Sequence, residues 1–432
     1  MAVPRSNVTY VSRLQCAQAA VAAQLDILKR TNPGRKIALV TFNNEVTVYN
    51  GETTTVFAGD RLNDYEKLMT AKDIPLKTAD DVASALTDTV YSLKPTGATA
   101  LGPALAVATA MAARVAGSKI TIATDGLANV GLGSIEGTDE SITSEEDDTV
   151  TESAAEVFYR RVATFAAGAG VSIDVVGIDG EGCNLETLSS LPDLTGGDLS
   201  SVKPENLANV FENAAAEPTL ATNVVATVLL HKALEFRESG VEGTRVVRGL
   251  GNVRASTTVT FEYGMRRDAA LAGGVAIPFQ TQISFVRRDG SRVVRTITRV
   301  LRSTGDRRRA EAEMRQAVIA THAMQACGVE AKEKGMYHAS RVTNAAYGRL
   351  MARNRRCEAD ERGYAMWSAQ ATALDSALAV EEAEERVAVG GVDEAAMPSS
   401  RVARMRKGRR GKKDALSAQL QKASRVSKAA FT

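Results

Sequence analysis

Residues Ser118 to Gly133 read SKITIATDGLANVGLG. The β-branched run Ile120, Thr121 and Ile122 climbs to Thr124 and stops at Asp125-Gly126. An apolar run bounded by a turn pair predicts a buried strand over 119–124, which delivers one carboxylate, Asp125, to a loop at its C-terminal end. One carboxylate is not a site, so the question is what surrounds it.

Upstream, Leu14, Ala17, Val21, Leu25 and Leu28 recur at helical spacing and predict a helix over 12–30. Ser12 and Gln15 fit a capping box at its start, and Asn32-Pro33-Gly34 ends it. KIALVTF, 36–42, reads as a buried strand that turns at Asn43-Asn44 into EVTVY, 45–49. Helices follow over 79–93 and 101–116, then the 119–124 strand, a helix over 153–169, the buried strand VSIDVVGI at 171–178, and a short helix over 184–190. Near-continuous apolar strands alternating with helices indicate a sheet covered on both faces. Residues 1–216 are therefore read as a doubly wound, mostly parallel α/β domain.

The pattern changes after AAAEPTLAT. Residues 217–305 carry strand signals without helices: NVVATVLL, TRVVRGLGNV, ASTTVTFEY, PFQTQISFV and RVVRTITRVL. The last two flank Asp289-Gly290, a strong hairpin turn. Phe279, Thr281, Ile283 and Phe285 alternate with polar neighbours, as a half-buried strand requires. This segment is read as a β-sandwich. Residues 306–390 are helical in pattern, over 307–328, 333–355 and 362–388. VGGVDEAAMPSS is a linker, and 391–432 is expected to be a basic, disordered tail.

The chain has 432 residues, 44 % of them hydrophobic, with a net charge of +2, so length and composition allow two or three cored domains and no global field argues for nucleic acid. Cys16, Cys183, Cys327 and Cys357 are scattered, with no CxxC pair to support a zinc ribbon or redox dithiol. Such thiols suit a reducing compartment. Asn7-Val8-Thr9 matches a glycosylation sequon, but no secretory signal precedes it. No apolar run reaches the roughly 20 residues of a membrane span. A soluble, cytoplasmic protein is expected.

Three stretches carry a resemblance. PTGATALGPAL with Thr99, ATDGLANVGLG with Asp125, and IDGEGCNLETLSSLPDLTGG resemble a von Willebrand factor A domain of the COPII inner-coat trunk type. ATNVVATVLLHKALEFR, GLGNVRASTTVTFEYGM and IPFQTQISFVRRDGSRVVRTITRVL resemble the β-sandwich joined to that trunk. DRRRAEAEMRQAVIATHAMQ and YHASRVTNAAYGRLM resemble the helical domain that follows. The circularly permuted Ras proteins carry the same module. The resemblance spans residues 10–355.

The resemblance implies a divalent-cation site, the metal-ion-dependent adhesion site, at the top of the sheet. A hard cation such as Mg²⁺ would take oxygens from three loops there. Thr99 and Asp125 match the second and third loops. The first, DxSxS, should precede the first helix, and only MAVPRSNVTYV stands before Ser12, with no aspartate. The site is therefore read as incomplete, and no cofactor is expected. The central first strand is missing as well, either because the chain is a truncated fragment or because the domain is rewired. In the parent fold that strand lies between 36–42 and 119–124, so its loss would leave two inner edges unpaired. NVTYV, Asn7 to Val11, matches the mean strand length and is one candidate to fill the gap.

Two local charge runs remain. Residues 136–152 hold Asp139, Glu140, Glu145, Glu146, Asp147 and Asp148 with no basic residue, as in a solvated insertion, a partner contact, or a loop phosphorylated at Ser141 or Ser144. RVARMRKGRRGKK, 401–413, has eight basic residues and no acid, which fits an anionic membrane surface, nucleic acid, an import signal or a solvated tail. It lacks the interleaved aromatics of a single-strand binder. His231, His322 and His338 are isolated in sequence and are assigned structural roles; Trp367 is assigned to a core. No GxSxG, HExxH or GxxxxGK[ST] motif and no nucleophile–base pair is evident, nor any small-molecule substrate.

These observations favour a non-enzymatic intracellular protein-binding scaffold or adaptor whose partners are other proteins, linked by the resemblance to vesicle trafficking. A regulatory fragment of a GTPase-linked protein of the permuted-Ras type is the first alternative, and a cation-dependent ligand-binding domain the second.

Overall fold

The computed structural model describes residues 11–135, 153–179, 182–237, 243–389, 399–426 and 430. The first described element is a helix, α1 (Arg13–Thr31), held at its N-terminus by the expected reciprocal Ser12–Gln15 capping box. Lys36–Ile37 (β1), Leu39–Phe42 (β2), Val46–Tyr49 (β3) and Thr54–Phe57 (β4) follow, then a short helix Tyr65–Met69 (α2). Lys77–Thr78 (β5) pairs with β1 and leads into Ala79–Ser92 (α3), whose first turn is capped by Thr78. Leu101–Ala112 (α4), Lys119–Thr124 (β6), Ala154–Gly168 (α5) and Ser172–Ile178 (β7) come next. Leu185–Leu188 (α6), Ser190–Thr195 (α7), Leu199–Val202 (β8) and Leu207–Ala216 (α8) complete this part. The 119–124 strand thus stands where its β-branched run placed it.

The layers are those of a doubly wound sheet. Along β7 the side chains alternate: Ile173 and Val175 face α4 and α5, while Val176 and Ile178 face α1 and α8. Both faces being covered, β7 is buried along its whole length. The sheet is in two pieces. β6, β7 and β8 run parallel, and β2, β3 and β4 run antiparallel.

Among the described residues no strand joins β2 to β6. Helices span the break on each face. Val21 of α1 packs against both the Leu39 side and the Ala123 side, and α4 packs against Phe42 and Ile122. The consequence appears in the burial: every residue of β2, and most of β6, is only half-buried, unlike β7. Of the segment expected to bridge this break, Asn7 to Tyr10 lie outside the described residues.

The second part is all-β. Ala221–Leu229 (β9), Leu234–Phe236 (β10), Arg245–Val253 (β11), Tyr263–Met265 (β12), Ala276–Val286 (β13) and Arg292–Arg302 (β14) form a four-stranded antiparallel sheet, order β11-β9-β13-β14, and a two-stranded one, β10-β12. Val228, Phe236 and Val246 pack between the two. The expected strand over ASTTVTFEY is reduced to its last residue, Tyr263, and β12. Arg254 and Thr257 instead form a side-chain-locked turn there.

The third part holds Arg307–Ala312 (α9), Gln316–Lys334 (α10), Tyr337–Arg353 (α11), Glu358–Val389 (α12) and Ser399–Ser424 (α13). The Trp367 side chain is buried in its core, with Met324, Cys327, Met351 and Leu378. One expectation needs correction here: residues 391–432 are not simply a disordered tail. From Ser399 to Ser424 they form α13, which packs on α10, β8 and α6. The reason lies past the basic run, where Leu416, Leu420, Ala423 and Val426 supply an apolar stripe that enters the helical core. The linker residues 390–398 and the acidic run 136–152 lie outside the described residues.

Gly102 in α4 shows how tightly the break is framed. A Cβ built there would lie 1.9 Å from the carbonyl oxygen of Leu132. Replacing Gly102 with Ala gains about 1 kcal/mol of helix propensity but forces the helix off the 127–133 loop, an overpacking cost of about 3 kcal/mol. Urea denaturation of Gly102→Ala should show a net loss of about 2 kcal/mol; a stabilised variant would contradict this packing.

Candidate functional site

Three loops meet at the C-terminal ends of β2 and β6. The Asn43 backbone carbonyl accepts from the Ala100 N–H at 2.9 Å, and its amide nitrogen donates to Thr96 Oγ1 at 2.9 Å. The Ala98 N–H donates to Asn44 Oδ1 at 2.7 Å. Between them Gly97 takes φ +72°, with Asn44 so close that a Cβ would sit 2.8 Å from its amide. Thr99 is locked to the third loop in both directions: its N–H donates to Asn129 Oδ1 at 2.7 Å and its carbonyl accepts the Asn129 N–H at 3.1 Å.

Thr99 and Asp125 are therefore brought to the same end of the sheet, with Thr99 Oγ1 lying 3.8 Å from where a Cβ on Gly126 would stand. Among the described residues Asp125 itself caps no backbone amide. The turn is held instead by Thr124, whose Oγ1 donates to the Gly126 carbonyl at 3.0 Å. The Asp125 side chain stands 54 % exposed, and its Oδ2 lies 3.4 Å from the Arg13 guanidinium on α1. An arginine thus stands beside the single carboxylate. Among the described residues there is no group of three or more His, Cys, Asp or Glu side chains able to hold a metal. One carboxylate, one hydroxyl and a guanidinium do not match the all-oxygen, near-octahedral donor set that Mg²⁺ demands. These described residues do not make up the donor set of the cation that the resemblance implied.

Below the loops lies a buried charge cluster that the sequence reading passed over. Asp174, in the middle of β7, is 4 % exposed. Its carboxylate takes Lys119 Nζ at 2.7 Å and Arg254 at 2.5 Å. Arg254 also bonds Asp198, and Lys119 donates to the Ala214 carbonyl at 2.6 Å. Burial pulls the Lys119 amine below its usual range, against the opposing pull of Asp174. Burial also weighs on Arg254, but the two aspartates outweigh it and hold its guanidinium above the usual value. The signal was available: a lone Asp inside VSIDVVGI must have a partner.

A second cluster fixes α13. Asp414 accepts the N–H groups of Cys183 and Leu185 at 2.5 and 2.6 Å, capping α6 from the far end of the chain. Burial pushes its carboxyl above the usual range, while those N–H groups pull the other way. Gln421 accepts from the Leu199 N–H at 3.0 Å, and Arg425 donates to the Pro192 and Asp193 carbonyls at 2.8 Å each. Burial lifts the neighbouring Cys183 thiol to about 12, which leaves it inert at neutral pH. The histidines serve structure: His231 Nδ1 accepts the Ala233 N–H, His322 Nδ1 lies 3.0 Å from Thr260 Oγ1, and His338 lies 3.4 Å from Glu382.

This arrangement of loops, split sheet, sandwich and helices has known counterparts. The Sec23/Sec24 trunk domain family matches residues 7–213. Residues 7–213 are thus similar to a Sec23/Sec24 trunk domain. The crystal structure of the human COPII-coat protein Sec24c superposes on 79 % of this chain and 50 % of its own, with a TM-score of 0.56 at 16 % identity. Its fold therefore extends beyond the trunk domain. "Circularly permutated Ras protein 1" of Dictyostelium discoideum is 32 % identical over 313 residues, 70 % of this chain. The chain spans about a third, 35 %, of that relative's length.

The metal reading is checked by calorimetry. Titrating Mg²⁺ or Mn²⁺ into the wild type and Asp125→Ala should give equal, non-saturating heats up to about 1 mM, given so few oxygen ligands. A saturable heat lost in Asp125→Ala would contradict it.

Proposed function

We propose that this protein is a non-enzymatic, cytoplasmic protein-binding scaffold of the coat-trunk kind, acting in vesicle trafficking. The observation that carries this reading is the trunk-domain match over residues 7–213, continued by a sandwich and helices, with the Sec24c fold superposing on 79 % of the chain. The chemistry at the top of the sheet agrees. Asp125 is paired with Arg13 and the Cys183 thiol is buried, so neither stands as a free catalytic group.

A second reading is favoured by a specific observation, the 32 % identity to a protein named for its Ras portion. In this reading the chain regulates a Ras-type GTPase domain, and its partner is that domain rather than a coat subunit. No degenerate cation site is needed by either reading.

Size-exclusion chromatography with multi-angle light scattering distinguishes them. Mixed with purified COPII inner-coat subunits, the protein should form a stoichiometric complex at micromolar concentration and should release no phosphate from GTP. A complex with the Ras-type domain of the Dictyostelium relative, and none with coat subunits, would overturn the coat reading in favour of the second.

A further inference from the structure

β14 is the outer strand of the four-stranded sheet, paired with β13 on one side only. Its register with β13 runs unbroken from Arg292 opposite Val286 to Arg302 opposite Ala276. It is 11 residues long, and all but Val293 are exposed. Soluble proteins keep such edges short or covered, because the outer row of N–H and C=O groups will pair with any extended chain. Among the described residues nothing pairs with this row of about 37 Å, at about 3.4 Å per residue.

The side chains are not neutral to what pairs with them. Val294 is 68 % exposed, Val300 59 %, Leu301 53 % and Ile297 38 %. Between them stand Arg292, Arg295, Arg299 and Arg302, with no acid in the strand or in β13. None of the four arginines has an ion-pair partner among the described residues. The order is almost a palindrome about Ile297, RVVRTITRVLR, broken only by Val293 against Leu301. One face reads Val293, Arg295, Ile297, Arg299, Leu301 and the other Arg292, Val294, Thr296, Thr298, Val300, Arg302.

The palindrome decides between occupants. A second copy pairing antiparallel about Ile297 would match apolar with apolar and Thr with Thr. It would also set Arg292 against Arg302 and Arg295 against Arg299, in both directions. Like charges directly opposite one another oppose pairing, and opposite charges favour it. The same positions therefore repel a second copy and attract an acidic strand.

We propose that β14 is a docking edge for an extended, acidic segment of another protein, which adds to the sheet as a fifth strand. The partner alternates acidic and apolar residues on one face, with a carboxylate opposite Arg295 and another opposite Arg299. Main-chain hydrogen bonds supply the binding and the arginines select the sign of the partner. This surface lies on the sandwich, and the inference does not depend on the trunk-domain loops or on the coat reading.

The test uses the full chain and two dye-labelled peptides. One has the 11-residue sequence of β14, and the other has the same sequence with each arginine replaced by glutamate. Fluorescence anisotropy in low salt should show the glutamate peptide binding about tenfold or more tightly than the arginine peptide, the gap narrowing as salt is raised. In Arg295→Glu/Arg299→Glu, whose circular dichroism should match the wild type because both sites are exposed, the preference should vanish, since either peptide then meets two attractive and two repulsive pairs. Equal affinity of the wild type for the two peptides, or no binding of either, overturns the proposal. So does sedimentation of the wild type as a dimer that dissociates in Arg295→Glu/Arg299→Glu, which would make a second copy the occupant.

Discussion

A single buried carboxylate organises this molecule. Asp174 sits within β7, a strand buried along its whole length and paired on both edges. A lone charge there would be prohibitive, so it is held by two cations from opposite directions. Lys119 comes from the start of β6 and ties in the end of α8 through Ala214. Arg254 comes from the sandwich and reaches Asp198 ahead of β8 as well. Two cations and two carboxylates sum to no net charge. The parallel sheet, its covering helix and the sandwich therefore share one joint. The neighbouring Asn252 adds to it by donating to the Val171 and Thr195 carbonyls at 2.9 Å each.

The end of the chain reinforces this joint from the far side. α13 covers the outer edge strand β8, and Asp414, Gln421 and Arg425 satisfy backbone groups in the 183–199 region that the sheet leaves open. Lys332 of α10 pairs with Asp193 in the same region. The helical part is thereby seated on the trunk rather than strung behind it. By contrast, the middle of the sheet is held from above and below by α1 and α4. The pair Arg13 and Asp125 belongs to that frame: it pins the start of α1 to the end of β6.

Much of this was legible in the sequence. Apolar period and β-branched runs placed β6 at 119–124, and the Ser12–Gln15 box placed the start of α1. The Asp289-Gly290 turn fixed the β13–β14 hairpin. The resemblance of Thr99 and Asp125 to trunk loops put both at one end of the sheet, where β2 and β6 are not joined among the described residues. What escaped was non-local. Nothing near Asp125 in the chain points to Arg13, 112 positions away, and nothing near Asp174 points to Arg254, 80 positions away. The basic run at 401–413 masked the apolar stripe behind it, so α13 read as a tail although its last turns are core. Local periodicity reports elements, whereas buried charge pairs and docking stripes report their assembly.

The most direct measurement is a double-mutant cycle on Asp174 and Arg254, with stability read from urea unfolding of wild type, Asp174→Asn, Arg254→Met and the double variant. If this pair is the joint, each single change strands a buried charge and costs about 3–5 kcal/mol, and the double variant costs clearly less than the sum. Single losses under about 1 kcal/mol, or losses that simply add, would show that trunk and sandwich are held together by something else.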